Sequence, residues 1–100
     1  MEINDRIILL LGAQKALLGM ITPRMRGVTM RMEGRKIFLR FILDSPQTME
    51  DFDTCHEVAS EVAAEFNDAL VDVEIITREM PSPIVDLGMD DWAFIRSEEQ

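Results

Sequence analysis

One hundred residues with 47% apolar content, one cysteine and a net charge of −9 make a single domain with a modest core, and exclude an intramolecular disulfide framework. The charge is divided: residues 1–44 hold eight bases and four acids, a net +4, whereas residues 45–100 hold two bases and fifteen acids, a net −13. No dominant basic surface is available to release counterions from nucleic acid, and the distribution favours a basic partner.

At the N-terminus, Glu2 and Asp5 stand where a signal peptide would be positive, and no small-residue cleavage site follows the apolar run. "IILLLGAQKALLGMI" is interrupted by Gln14 and Lys15 and is too short to span a bilayer, so a bacterial cytoplasm is the expected compartment. Asn4 suits an N-cap, with Ile3 and Ile8 placed as a hydrophobic staple. Ile7, Leu10, Leu11, Leu17, Leu18 and Ile21 then recur at helical spacing, predicting a helix over 5–20 closed by Pro23.

"GVTMRMEGRKIFLRFIL" predicts a β-hairpin. Val28, Met30 and Met32 alternate with Thr29 and Arg31, then Ile37, Leu39, Phe41 and Leu43 with Lys36, Phe38 and Arg40, around a turn at Glu33-Gly34. Next comes a helix start, with Ser45 capping ahead of Pro46 or Thr48 capping with Asp51. Phe52, Cys55, Ala59, Val62, Ala63 and Phe66 form the apolar stripe of a helix ending near Asn67. "LVDVEIITRE" is a third strand ended by Pro81 and Pro83, and "WAFIR" a fourth after the "DLGMDD" loop. The order αββαββ predicts one α+β domain over residues 1–100, a mainly antiparallel sheet with two helices packed on one face.

The acidic helix is the chief candidate for function. Glu50, Asp53, Glu57, Glu61, Glu65 and Asp68 share it with no Lys or Arg, and Glu57, Glu61 and Glu65 stack at the i,i+4 spacing where like charges weaken a helix. Such a run is either a solvated face or half of an interface with something basic. The loop acids Asp86, Asp90 and Asp91 lead into Trp92, an aromatic anchor for a second such surface.

Other chemistry is poorly supported. Cys55 and His56 are neighbours on a helix and diverge by about 100°, so they make no nucleophile–base pair, and Cys55 falls on the apolar stripe. "DFDTCHE" lacks the glycine and the twelfth-position glutamate of a calcium loop, and one Cys with one His cannot close a zinc site. An open row of glutamates offers no cleft to separate carboxyl pKa values. The hairpin bases Arg31, Lys36 and Arg40 flank only Phe38, too little for a base-stacking platform, and are expected to pair with the acidic half. Met20, Met25, Met30 and Met32 suit gap-filling. No enzyme, cofactor or metal is therefore expected.

Four ordered phrases, "ALLGMITPRMRGVTMRMEGRKIFLRFILD", "HEVASEVAAEF", "VEIITREMPSPI" and "WAFIRSE", resemble a family of small acidic bacterial immunity-type proteins encoded with polymorphic toxins, including contact-dependent growth-inhibition systems. The resemblance implies a protein that captures a cognate toxin without catalysis. A toxin that is a nuclease would present a basic cleft, which an acidic surface both attracts and blocks. The alternative is a structural or adaptor protein that forms a homodimer or docks through a sheet edge.

Overall fold

The computed structural model describes residues 3–66 and 69–98. Helix α1 spans Ile3–Leu17, strands β1 and β2 span Met25–Glu33 and Lys36–Leu43, and helix α2 spans Met49–Glu65. Strand β3 (Leu70–Thr77), one 3-10 turn (Val85–Leu87) and strand β4 (Asp91–Ile95) complete the chain. The α+β order is as expected from the sequence.

The four strands run in the order β3-β2-β1-β4. β1 is antiparallel to both β2 and β4, whereas β2 and β3 are parallel. Parallel neighbours need a long crossover, and α2 supplies it. On one face of the pleat, Val28, Met30, Ile37, Leu39, Phe41 and Leu43 pack with Leu9, Ala13 and Leu17 of α1 and Cys55, Val58 and Val62 of α2. Met25 and Met30 are buried gap-fillers, while Met20 and Met32 pack partly buried against the same cluster.

Several boundaries differ from the sequence reading. The first helix stops at Leu17, not residue 20, because Gly19 takes φ +78 and reverses the chain well before Pro23. The helix already includes Asn4, so its start precedes the expected cap. The hairpin turn is Gly34-Arg35, one residue later than expected: Glu33 pairs with Lys36, and Gly34 supplies the positive φ of +60 that a tight hairpin turn needs. Of the two candidate caps for α2, Thr48 is used, in a reciprocal box with Asp51. Phe52, assigned to the apolar stripe, is exposed. The expected helix end near Asn67 lies outside the described residues.

The β3–β4 connection covers part of the other face of the sheet, over β1 and β2. Arg40 Nη1 donates to the Leu87 carbonyl at 2.7 Å, and the Met89 N–H donates to Thr29 Oγ1 at 2.8 Å. Thr29 Oγ1 in turn donates to the Asp91 carbonyl at 2.8 Å. The Trp92 indole wedges between Gly27 and Gly88: a Cβ on either glycine would lie 2.8 Å from its ring. Thr29 and Ile42 are consequently fully buried beneath a loop.

Gly27 is thus a space requirement, with Ile84 Cδ1 also 3.1 Å from the position of a Cβ. Replacing it with alanine forces the indole or the strap to move, and the expected loss is about 1–3 kcal/mol of stability in urea titration. Unchanged stability would mean that the strap yields freely.

Candidate functional site

Helix α2 is fixed at its first turn by charge. Thr48 Oγ1 accepts from the Asp51 N–H at 3.2 Å, and Asp51 Oδ2 accepts from the Thr48 N–H at 2.9 Å. Arg24, at the approach to β1, closes on the same carboxylate through Nε at 3.0 and 3.1 Å and Nη2 at 2.9 Å. Burial opposes ionisation of Asp51, but the Thr48 N–H, the Arg24 guanidinium and the Thr48 hydroxyl outweigh it and hold the pKa below the usual range.

With its buried side set by Asp51, Cys55, Val58, Ala59 and Val62, α2 turns Glu50, Asp53, Glu57 and Glu61 to solvent. Among the described residues none of these four has an ion-pair partner. Glu65, one turn further, is neutralised by Lys15 of α1 at 3.2 Å. Asp68 lies outside the described residues. Beside the acidic row, the exposed ring of Phe52 stacks on His56 with centroids 4.1 Å apart. That aromatic pair is missed by a periodicity argument, which counts any Phe as core.

The loop acids are differently placed. Asp86 is bound by Arg78 at 2.8 Å and Asp91 by Arg6 at 3.0 Å; among the described residues Asp90 alone of the three has no ion pair. Trp92 is half-buried in its glycine slot. This loop straps the sheet face opposite the helices, so it does not join the α2 acids in one surface.

The remaining bases are also engaged. Arg31 pairs with Glu33 at 2.8 Å, Lys36 with Asp72 at 3.0 Å and Arg40 with Glu74, and Arg31 and Lys36 both lie over the Phe38 ring, at 4.1 and 5.2 Å from its centroid. Cys55 is buried, and burial followed by the nearby Asp51 charge pushes its thiol up to about 12, so it is not a nucleophile at neutral pH. Among the described residues no group of three His, Cys, Asp or Glu side chains is arranged to hold a metal ion. No described helix is long and apolar enough to cross a membrane.

A structural cluster at the C-terminal end is invisible in the sequence pattern. Arg26 is the extra residue of a β-bulge between Met25 and Gly27, and only 1% of it is exposed. Its guanidinium donates to Glu98 at 2.8 and 3.0 Å and to the Arg78 carbonyl at 2.8 Å. Arg96 also binds Glu98, at 3.0 Å, and reaches Asp44 at 2.9 Å. Glu98, three residues past the end of β4, thus ties the C-terminal segment to β1 through Arg26.

The structure is a small α+β domain in which Glu50, Asp53, Glu57 and Glu61 stand along one helix without an ion pair among the described residues. The chain belongs to the MafI2 immunity protein family, whose pattern matches residues 6–98. An immunity-type protein is what the sequence phrases implied. Among solved structures, the MamM CTD in its copper form is similar at 21% identity, covering 78% of this chain and 87% of that one, with a TM-score of 0.44. No curated protein matches.

The ion pairs set the acid stability. Hydrogen bonds from Arg26 and then Arg96 hold Glu98 below its ordinary range against burial, and Arg96 does the same for Asp44. Asp86 is lowered by Arg78. A carboxylate with a depressed folded pKa contributes its full stabilisation above its unfolded pKa of about 4 and loses it as pH falls toward the folded value. Denaturation midpoints should therefore fall steeply below about pH 4. Glu98→Gln should cost about 1–3 kcal/mol at pH 7, by weakening the partner of a buried guanidinium, and should shrink the acid-range loss. An unchanged pH slope in that variant would remove Glu98 from this role.

Proposed function

We propose that this protein is the cytoplasmic antidote to a bacterial toxin domain of the polymorphic or contact-dependent growth-inhibition kind, and that it works by binding alone. The toxin is a nuclease whose basic catalytic cleft is covered by the acidic face of α2. Membership of an immunity family supports the capture of a toxin. The observation that carries the choice of surface is the row Glu50, Asp53, Glu57 and Glu61, exposed and without a base among the described residues. Its like charges at i,i+4 cost helix stability, and a basic partner reverses the sign of that interaction.

Within this reading α2 takes precedence over the strap. Asp86 and Asp91 already satisfy Arg78 and Arg6, which lowers the field they offer a partner. Asp90 and the accessible part of Trp92 form a secondary contact for a toxin that reaches round the β4 edge. Glu65 extends the α2 row toward its C-terminal end, at the expense of its bond to Lys15.

Steering by exposed charge acts at long range and is screened over roughly 10 Å at 0.1 M salt. The variant Asp53→Asn, Glu57→Gln, Glu61→Gln should associate with the toxin about tenfold more slowly at low salt, with dissociation changed less and the difference vanishing at high salt. Its stability should rise by a few tenths of a kcal/mol per relieved pair. Surface-based kinetics at two ionic strengths checks this; an unchanged low-salt association rate would move the interface off α2.

A further inference from the structure

The outer side of helix α1 carries large apolar side chains beside its polar Gln14 and Lys15. Leu9, Ala13, Ala16 and Leu17 are buried against the sheet and α2, yet Ile7, Ile8 and Leu11 are 51, 55 and 60% exposed, and Leu18, just past the end of the helix, is 78% exposed. A helix packed on one side only ordinarily carries polar residues on the other, and an all-apolar helix ordinarily has neighbours all round. Among the described residues none packs on the outer side. Two shallow hollows beside α1 continue the patch toward β4. One, of about 270 Å³, is lined by Ile7 and Leu10 with Arg6 and Asp91; the other, of about 150 Å³, by Leu17, Leu18, Ile21 and Phe94.

We infer that this face is the interface of a homodimer, a second copy of the chain packing its α1 antiparallel against the first. Charge selects the occupant. A molecule of net charge −9 repels its copy everywhere except where its own charges are cancelled. On α1 both bases are cancelled internally, Arg6 by Asp91 and Lys15 by Glu65, leaving Asp5 near one end as the only acid without an ion pair among the described residues of the helix. A basic partner is drawn instead to α2, where acid stands unpaired. Five aliphatic side chains, Ile21 included, each leave roughly two-fifths or more of their surface to water and make a patch of several hundred Å², below the about 800 Å² per partner of a standard interface and in keeping with a dimer that dissociates on dilution.

The stripe is self-complementary. In an antiparallel pair about a two-fold axis passing between Leu11 and Gln14, Ile7 of one copy meets Leu18 of the other at both ends, as isologous symmetry requires. The acidic faces of α2 then stay outside the contact, so each protomer keeps its own surface for a basic partner. The dimer stands independently of the toxin reading.

Sedimentation equilibrium with the full chain tests it. Wild-type protein should be dimeric at about 100 μM and dissociate on dilution toward the micromolar range, with added salt favouring the dimer by screening the repulsion between two copies of net charge −9. Leu11→Lys and Leu18→Lys should each be monomeric at the same concentration. Both side chains are already exposed, so circular dichroism and melting of the monomer are retained. A wild-type monomer at every concentration overturns the proposal, as do Lys variants that remain dimeric. Two further results on a monomeric wild type would overturn it by naming another occupant: loss of toxin capture in Leu11→Lys, or binding of the wild type but not the variant to phosphatidylglycerol vesicles.

Discussion

Scarcity of positive charge governs this structure. Ten bases face nineteen acids, and the fold places those bases as clamps between elements far apart in sequence. Arg24 ties the approach to β1 to the first turn of α2, Arg6 ties α1 to β4, Lys15 ties α1 to the end of α2, and Arg26 with Arg96 ties the C-terminal strand to β1 through Glu98. Arg35 is likewise not free. Exposed pairs of this kind contribute little stability individually, but Arg26 is buried, and breaking a buried pair leaves an uncompensated charge. Once the bases are committed in this way, the excess acid is concentrated on the outer face of α2.

The sheet topology decides where that face points. Because β2 and β3 are parallel, α2 must cross from one end of the sheet to the other, and it does so over the face that holds the core. Its outward acids are therefore presented on a rigid helix, held by a capping box and a guanidinium. The β3–β4 connection crosses the opposite face, where Thr29 and Trp92 fasten it. On the strap Asp86 and Asp91 are neutralised by the cations that hold it down, while on α2 Glu50, Asp53, Glu57 and Glu61 have no ion pair among the described residues. The immunity family to which the chain belongs thus has, in this member, a scaffold that segregates structural charge from available charge.

Elements with strong periodicity were legible in the sequence. The hairpin alternation of Val28, Met30, Ile37, Leu39 and Phe41 follows from a period of two, and the second helix from its stripe and its Thr48–Asp51 box. What escaped depends on non-local partners. Nothing local says that β3 pairs in parallel, whereas Gly19 is a local stop signal that precedes Pro23 and ends α1 first. Arg26 sits in an alternating strand that a bulge interrupts, so its burial and the role of Glu98 appear only once the C-terminal strand is in place. The acidic row was visible as composition, but its availability was not: Glu65 and Glu61 look alike until Lys15 arrives from fifty residues away. Phe52 is exposed because the groove between α2 and its neighbours is filled by Cys55, Val58 and Val62 instead.

The proposed function rests on capture of a toxin without catalysis, and that is measured most directly by titrating the protein into the proposed nuclease toxin domain and following nucleic-acid cleavage. The expected result is complete loss of cleavage at an equimolar ratio, with both proteins recovered unmodified in one complex that high salt weakens. Full cleavage at excess protein, or inhibition that needs only a trace of it and leaves the toxin altered, would contradict the account.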